Sequence, residues 1–167
     1  MIQPDVLFFK DDSITPNSEL PVIVYRDVLK SAEIKSGISI QSVFEANNWT
    51  NNWADTIMTK NHYHSTTHEV IGINKGKVRL KIGGKDGSIL TVQEGDVLLI
   101  PAGVGHFSLS NATLYEAIGG YPDGAAWDMI FDEKDKHGVA VERIRHIPIP
   151  KTDPIFGPNG VLFQYWK

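Results

Sequence analysis

Two short segments of the chain carry side chains that bind metal ions. The first holds His62, His64 and Glu69, and the second holds His106. Imidazole and carboxylate are ligands that first-row divalent metals accept. Because side chains alternate along a strand, an extended stretch centred on Tyr63 places both neighbouring imidazoles on one face, about 6 to 7 Å apart. The spacing therefore predicts a strand here and one divalent-metal site. Its predicted ligands are His62, His64, Glu69 and His106.

The composition excludes several other chemistries. The 167 residues include no cysteine, so there is no disulfide framework, thiolate metal site, iron–sulfur cluster or cysteine nucleophile. The formal charge of -4 comes without a basic stripe, which argues against a nucleic-acid partner. Residues 1–5 lack the basic start and apolar core of a signal peptide, and the apolar runs are too short to cross a bilayer. The sequence predicts a cytoplasmic protein with no membrane segment.

Regularly spaced turn residues indicate a β-sheet core. Gly, Pro and Asn recur about every ten residues between positions 50 and 125, which is typical of an all-β sandwich or barrel. Residues 77–82 alternate apolar and cationic side chains, and residues 83–87 supply a glycine-rich hairpin turn. Residues 97–100 are apolar on both faces, as expected of a strand covered by a second layer or by a terminal extension. A chain of this length is expected to form one domain.

The flanking regions are predicted to add a few elements around this core. They are a strand at 20–25, a helix within 38–46, a loop at 121–124 and a short helix at 139–144. Ser36 or Ser39 is the expected N-cap of the first helix. The aromatic tail at 163–166 is expected to pack over an exposed face of the sheet. The predicted organisation is a single domain at 1–167, with a β-barrel core at about 50–121, an N-terminal strand-helix extension at 1–49 and a C-terminal closing segment at 122–167.

Both histidine segments resemble the two signature motifs of the cupin superfamily. The first family pattern, Gly-x5-His-x-His-x4-Glu-x6-Gly, is met as far as Gly76, but Thr56 stands where the leading Gly is expected. The second, Gly-x5-Pro-x-Gly-x2-His-x3-Asn, is met from Gly95 to His106, and Ser110 replaces the Asn. All four ligand positions are kept. The Asn-Trp, His-Tyr-His-Ser-Thr-Thr-His-Glu and Tyr-Pro-Asp-Gly stretches are similar, more narrowly, to the YjlB type of small bacterial cupin.

This resemblance implies a double-stranded β-helix, the jelly roll of cupins, with a short N-terminal helix and a C-terminal extension. It also implies a bound iron(II), manganese(II) or nickel(II) ion, and zinc suits the same ligands. Cupins with such a centre include dioxygenases, oxalate-processing enzymes and sugar-phosphate isomerases. Because one fold hosts many reactions, fold and ligands do not choose among these chemistries.

The leading functional prediction is a metal-dependent enzyme that acts on a small anionic or chelating molecule, with a dioxygenase-like oxidation first. Three neutral imidazoles and one carboxylate leave a divalent ion with a residual charge of about +1 and, if it is octahedral, two positions for water, substrate or dioxygen. Glu69 is the candidate catalytic residue, because it would both bind the ion and transfer a proton. Two alternatives stay open: a decarboxylase or isomerase that uses the same ion, and a non-catalytic binding or sensor module.

Other polar residues are candidates for contacts around the metal. Lys60 has the same strand parity as the paired histidines and is a candidate to bind an anionic substrate, although a simple strand-end cation is the alternative. Ser108 shares a face with His106 and would add a polar group to the cavity wall. His68 adjoins Glu69 and is a rival ligand. Strand alternation points it to the opposite face, so a surface or interface role is expected.

The remaining aromatic and histidine residues are assigned to packing or to the surface. Tyr63 and Phe107 alternate away from the metal and suit a sheet interface or a dimer contact. Together with the doubly apolar strand at 97–100, they lead us to expect a homodimer. His137 and His146 lie in the irregular last third of the chain, where exposure to solvent is the simplest expectation.

Overall fold

The computed structural model describes residues 2–30 and 38–167 of the chain. Within these ranges the strands are β1 (Asp5–Phe9), β2 (Ser18–Tyr25), β3 (Trp49–Asp55), β4 (Glu69–Ile82), β5 (Ser88–Gln93), β6 (Val97–Ile100), β7 (His106–Ser108) and β8 (Tyr115–Pro122). The helices are α1 (Ile40–Ala46), α2 (His137–Ile144) and α3 (Leu162–Tyr165), with single 3-10 turns at Val28–Lys30, Ala112–Leu114 and Lys134–Lys136. None of the helices in these ranges is long and apolar enough to span a membrane.

The strands form two antiparallel sheets that share β4. The larger sheet has the order β1-β2-β6-β4-β8-β3, whereas β5 and β7 pair with the second half of β4. Strand β4 crosses from the larger sheet to the smaller one at Gly76, which has φ +73°. A Cβ there would lie 2.0 Å from the Leu114 carbonyl oxygen, so this position requires glycine. The arrangement confirms the predicted all-β jelly roll, in which antiparallel strands form two facing sheets.

The larger sheet buries apolar side chains on both of its faces. One face meets the smaller sheet in the inner cluster, whose members include Val24, Ile71, Ile73, Leu80, Leu98 and Ile100. The other face carries the outer cluster, whose members include Phe44, Trp49, Val70, Val97, Leu99 and Trp166. Strand β6 contributes alternate residues to the two clusters, which confirms that residues 97–100 form a strand covered on both faces. The cover comes from this chain, so the apolar pattern is explained without a second copy, and the homodimer stays a prediction.

Several local predictions are also confirmed. Strands β4 and β5 form the expected hairpin, with Lys77 opposite Gln93 and positive φ angles at Gly83 and Gly84. Helix α1 begins after Ser39, whose side-chain oxygen accepts a hydrogen bond from the backbone N–H of Ser42 at 3.1 Å. The hydroxyl therefore satisfies one of the amide groups left free at the start of a helix. The other candidate cap, Ser36, lies outside the described residues.

The structure corrects the prediction of a loop at 121–124. Strand β8 continues through Pro122, and Tyr121 pairs with Thr50 of β3. The turn begins only at Asp123 and Gly124, which both have positive φ angles. The turn-forming residues Pro, Asp and Gly marked the end of the strand correctly, but the strand takes in the first two residues of the motif because they pair with Thr50 and Trp49 of β3.

The C-terminal segment has two separate places in the fold. Its first part runs beside the histidine segment, where Ile130 forms a backbone bridge with Tyr63. Its last part covers the outer face of the large sheet, where Trp166 is buried and donates its indole N–H to the Pro21 carbonyl at 2.9 Å. The aromatic tail therefore packs over the sheet, as the sequence predicts.

Candidate metal centre

Three imidazoles meet at one end of the inner cluster. One nitrogen each from His62, His64 and His106 lies within 4.8 Å of the other two. His62 and His106 are held together by two backbone hydrogen bonds of 3.3 and 3.0 Å, and their ring centroids are 4.3 Å apart. The three side chains are at most 4% exposed. The fold therefore brings residues 62–64 and β7 side by side and buries the imidazoles between them.

The histidine pair lies on an extended segment rather than on a regular strand. His62 forms an isolated bridge with His106, and Tyr63 forms another with Ile130. Side chains still alternate, because Tyr63 points away from the imidazoles into a small cluster with Ile130 and Ala140. Tyr63 thus packs inside its own chain, and its proposed role in an interface between sheets or subunits is wrong.

Glu69, the first residue of β4, completes the cluster. Its Oε2 atom is 3.2 Å from His64 Nε2 and 3.3 Å from His106 Nε2. The Tyr121 hydroxyl donates to Oε1 at 3.1 Å and itself accepts a hydrogen bond from the Trp53 indole N–H at 3.1 Å. Oε2 is buried and has no hydrogen-bond partner in the described chain. Tyr121 thus orients one oxygen of the carboxylate, and the other oxygen has no hydrogen-bond donor.

The other ring nitrogen of each histidine faces a backbone carbonyl. The acceptors are Lys60 for His62, Asp128 for His64 and Val104 for His106, the first and the last at 3.0 Å. A carbonyl only accepts hydrogen bonds, so each Nδ1 carries a hydrogen, and in the neutral form of each ring Nε2 keeps a lone pair. This is the arrangement by which proteins fix the tautomer and the ring orientation of metal-binding histidines.

The donor set fits a divalent transition metal. Three Nε2 lone pairs and the unpartnered Glu69 Oε2 converge in a buried site. Buried polar atoms normally have partners, and Glu69 Oε2 has no hydrogen-bond partner in the described chain. A cation would satisfy all four, and nitrogen and oxygen ligands of this kind suit first-row divalent ions. The cluster is therefore a candidate metal site with three histidines and one glutamate.

Burial and charge determine the protonation of the ligands. Burial lowers the pKa of His62 to about 3, and the nearby His106 imidazole acts in the same direction. Burial also disfavours the charged form of His64, but the adjacent Glu69 carboxylate outweighs it and raises the pKa of His64. Burial alone would raise the pKa of Glu69, yet the His64 and His106 imidazoles hold this pKa below its ordinary value. Glu69 is therefore an anion, which is the form that binds a cation.

Asp128 is a supporting residue that the sequence analysis missed. Its carboxylate accepts hydrogen bonds from the backbone N–H and the hydroxyl of Ser65, at 2.7 and 2.5 Å, and from the backbone N–H of Thr66 at 3.2 Å. Burial raises the pKa of Asp128, but these hydrogen bonds outweigh it and lower the pKa. Arg143 of α2 donates to the Ser65 hydroxyl at 2.8 Å. This network holds the Asp128 carbonyl against His64. No local motif marks Asp128, since it is far from His64 along the chain.

Two aromatic rings, Tyr121 and Trp127, form an aromatic wall beside His64. Their ring centroids are 6.2 Å apart with an interplanar angle of 25°. The His64 ring centroid is 6.0 Å from that of Tyr121 and 5.7 Å from that of Trp127. Trp127 is 44% exposed, whereas Tyr121 is buried. The wall therefore reaches from the Glu69 carboxylate to the solvent. Trp127 has no strand or helix pattern around it that could have singled it out.

The two predicted substrate contacts lie outside the cluster. Lys60 is exposed, and its Nζ atom lies 4.3 Å from the centroid of the Phe131 ring. The Lys60 backbone carbonyl accepts a hydrogen bond from His62 Nδ1. Its ammonium group takes no part in that contact. Ser108 is buried, and its hydroxyl donates to the Ser110 carbonyl at 3.2 Å. Neither side chain contacts the four candidate ligands in the described part of the chain, and substrate binding by either residue stays a prediction.

His68 is buried, so the predicted surface or interface role is wrong. It lies on the opposite face of the sheet from Glu69, as strand alternation indicates, but the C-terminal segment covers that face. The backbone N–H of Ala102 donates to His68 Nδ1 at 2.9 Å, and His68 Nε2 donates to the Pro148 carbonyl at 3.2 Å. The ring centroid is 4.7 Å from that of Trp166. Burial lowers the pKa of His68 to about 4, so it is a neutral packing residue.

The remaining two histidines differ from each other. His137 is not simply solvated, because its Nε2 is 2.8 Å from a carboxylate oxygen of Asp11. His146 is exposed, as the sequence predicts. Neither belongs to the buried cluster. A histidine is therefore not identified as a metal ligand by its residue type alone. The geometry around its ring is also needed.

A family model and several solved structures match parts of this chain. The Cupin domain family matches residues 54–113, which include both histidine segments. Among solved structures, acireductone dioxygenase from Bacillus anthracis, with a cadmium ion in its active centre, is 20% identical with a TM-score of 0.40; the match covers 59% of this chain and 66% of that one. A variant of oxalate decarboxylase from Bacillus subtilis is 18% identical with a TM-score of 0.38, covering 71% and 29%.

A full-length relative gives the more specific assignment. The uncharacterized protein YjlB of Bacillus subtilis (strain 168) is 33% identical over 160 residues, which cover 95% of this chain and 94% of the relative. The match extends through the N-terminal extension and the C-terminal segment as well as the barrel. The chain therefore belongs to the cupin family, as a small bacterial cupin similar to YjlB.

Proposed function

We propose that this cupin is a metal-dependent enzyme acting on a small chelating or anionic molecule, with a dioxygenase-like oxidation as its reaction. The observation that carries the proposal is the convergence of three imidazole lone pairs and one unpartnered carboxylate oxygen in a buried site. Such groups are costly to leave unsatisfied. Their retention together fits a bound cation better than a packing role does.

The ion would be held by His62, His64, Glu69 and His106. Iron(II), manganese(II) and nickel(II) all suit these ligands, as does zinc, and metal supply often decides among them. A divalent ion in this site retains about one positive charge and would supply Lewis acidity and coordination positions for a chelating substrate and for dioxygen. In a dioxygenase reaction both oxygen atoms enter the substrate, which is itself the reductant, so no separate electron donor is needed.

The protein side chains have separate tasks in this scheme. Tyr121 donates to Glu69 Oε1 and so directs Oε2 toward the histidines. Glu69 would hold the ion as a carboxylate, and proton transfer by the same residue stays a prediction. Ile71 and Ile73 follow on the same face of β4 and belong to the inner cluster, which keeps bulk water from this side of the site.

Oxygen uptake by the metal-loaded protein tests the proposal. The protein would be purified without a chelating tag, analysed for metal, and reconstituted with iron(II), manganese(II) or nickel(II). It would then be assayed with diketones, dicarboxylates, thiols and sugar phosphates. We expect oxygen consumption that needs both a substrate and the metal and that disappears in His106→Ala. His146→Ala, which changes an exposed histidine, is the matched control and should keep the activity.

Three other outcomes would contradict this reading in different ways. Product formed without oxygen uptake would favour a decarboxylase or isomerase. Ligand binding to the metal without any turnover would favour a non-catalytic binding module. Absence of bound metal after reconstitution would reject the metal centre itself.

A further inference from the structure

Trp127 is the exposed ring beside the candidate metal centre. The four candidate ligands are at most 4% exposed, whereas Trp127 is 44% exposed. Among the rings of the described chain that contact the three histidines, the others are buried. A molecule that approaches His64 from solvent along the aromatic wall therefore meets the indole first.

The backbone on both sides of Trp127 is fixed. The Thr66 hydroxyl donates to the Ala126 carbonyl at 3.0 Å and accepts a hydrogen bond from the Asp128 backbone N–H at 3.1 Å. The Asp128 carboxylate is tied to Ser65 and Thr66 as well. An exposed indole usually costs side-chain entropy when it binds a ligand, and this anchoring lowers that cost because the ring is already positioned.

The charge around the site also limits what binds. With one carboxylate ligand, a divalent ion keeps a charge of about +1. Two cations from segments that adjoin the site are engaged elsewhere in the described structure: Lys60 lies over the Phe131 ring, and Arg143 binds Ser65 and Asp128. One negative charge on the ligand would neutralise the ion, whereas a second would be left without a partner in a buried site.

We propose that the metal centre selects planar, conjugated chelators that carry a single negative charge, such as a catechol monoanion or the enolate of a β-diketone, and that Trp127 stacks on their face. This rests on the proposed function, since the chelating atoms bind the metal. Trp127 is stacked on the buried Tyr121 and lies edge-on to His64, so its exposed indole offers a flat surface beside His64. A flat conjugated ligand matches that surface by offset stacking.

Binding of 4-nitrocatechol to the nickel(II)-loaded protein tests this specificity. The colour of the probe changes when it chelates a metal, so its dissociation constant can be measured without turnover, and oxalate serves as the comparison ligand by competition. Oxalate carries two charges and has no ring to stack. We expect Trp127→Leu to weaken nitrocatechol binding about three- to tenfold, the range that aromatic pairs contribute, with little change for oxalate.

Further variants separate stacking from general damage. Trp127→Phe keeps an aromatic face and should retain most of the affinity for nitrocatechol. Phe8→Leu changes another exposed aromatic residue, on β1, and should bind both ligands as the parent does. Nickel content is measured first in every variant, and we expect one equivalent throughout.

Three results would overturn the inference. Equal losses for nitrocatechol and oxalate in Trp127→Leu would mean that the indole supports the site in general. No loss for either ligand would remove Trp127 from recognition. In both cases a full nickel content leaves the proposed metal centre standing. A parent protein that binds no nickel would instead reject the metal centre, and the inference with it.

Discussion

His68 and His106 are both buried in the same domain, yet only His68 has both ring nitrogens hydrogen-bonded to backbone groups. His68 uses both ring nitrogens, one toward the Ala102 N–H and one toward the Pro148 carbonyl. His106 donates from Nδ1 to the Val104 carbonyl, and its Nε2 points toward Glu69 Oε2, which also lacks a hydrogen-bond donor. Burial and residue type are therefore shared by structural and ligand histidines. The group that the second ring nitrogen faces distinguishes them: a backbone group for His68 and the Glu69 carboxylate for His106.

The two histidine environments belong to opposite faces of one strand. Residues 68 and 69 are adjacent, so alternation sends His68 toward the outer cluster and Glu69 toward the inner one. On the outer side, the Trp166 ring packs against His68, with ring centroids 4.7 Å apart. The inner side ends at the aromatic wall, where Trp127 reaches solvent. One face of the sheet thus supports the fold, and the other holds the candidate chemistry.

Removal of a ligand histidine should have the largest effect. In His106→Ala the Nε2 donor is lost from a convergent set, so we expect metal affinity to fall more than about 100-fold, beyond the usual cost of losing an outer-shell partner. Calorimetric titration with nickel(II) measures the change. His146→Ala, at an exposed position, should keep the affinity of the parent. Equal affinity in parent and His106→Ala would mean that His106 is not a ligand.

Removal of the structural histidine should change stability and leave the metal in place. His68→Ala leaves the buried Ala102 N–H without its acceptor and creates a cavity beside Trp166. We expect the free energy of unfolding to fall by about 2 to 4 kcal/mol. Urea denaturation of the metal-free protein measures it. If His68→Ala instead lost its metal while remaining folded, the division between the two faces would be wrong.

Tyr121→Phe tests how the carboxylate is positioned. The substitution keeps the ring in the aromatic wall and removes the hydrogen bond to Glu69 Oε1. Loss of such a supporting contact typically costs 10- to 100-fold in metal affinity, and we expect about tenfold here. Tyr115→Phe is the matched control, because the Tyr115 hydroxyl is buried and hydrogen-bonded to the backbone of Ile57. Equal affinities of the two variants for nickel(II) would show that Tyr121 does not position the ligand.

The smallest effect is expected on the outer face, at Tyr25. Its hydroxyl donates to the buried Asp153 at 2.5 Å, and Tyr25→Phe should lower the free energy of unfolding by about 1 to 2 kcal/mol at pH 8. Burial and the Asp153 charge raise the pKa of Tyr25 above its ordinary value of 10. The unfolded chain therefore loses the proton first as the pH rises, and the folded state is destabilised above pH 10.

Only the parent protein has the contribution of Tyr25 to this alkaline change. The stability difference between parent and Tyr25→Phe should narrow as the pH rises above 10, because the variant has no hydroxyl at that position to titrate. Urea denaturation at pH 8 and at pH values above 10 measures this difference. A gap that stays constant would show that the Tyr25 hydroxyl does not contribute in this way. Metal affinity should be the same in both proteins at pH 8.

Sequence reasoning worked where the information is local. The spacing of His62, His64 and Glu69 identified the candidate ligands, and alternation in residues 77–82 identified half of the central strand. Glycine positions marked the hairpin correctly. These features depend on neighbours within a few residues, so they can be predicted from a short stretch of sequence, as period-two alternation predicts a strand.

The parts that were missed depend on contacts between distant segments. Asp128 supports His64 across more than sixty positions, and nothing near Asp128 in the sequence announces it. His68 was assigned to the surface because its face is sealed only by Trp166 from the end of the chain. Lys60 has the expected strand parity, but Phe131 from the C-terminal segment lies beneath its ammonium group. Alternation predicts a face and cannot predict what covers it.

X-ray absorption spectroscopy of the nickel(II)-loaded protein tests the central claim most directly, because it counts the ligands at the metal itself. We predict three imidazole nitrogens and one carboxylate oxygen, with one imidazole lost in His106→Ala and none lost in His68→Ala. A spectrum with fewer than three imidazoles, or one that is unchanged in His106→Ala, would contradict the proposed centre.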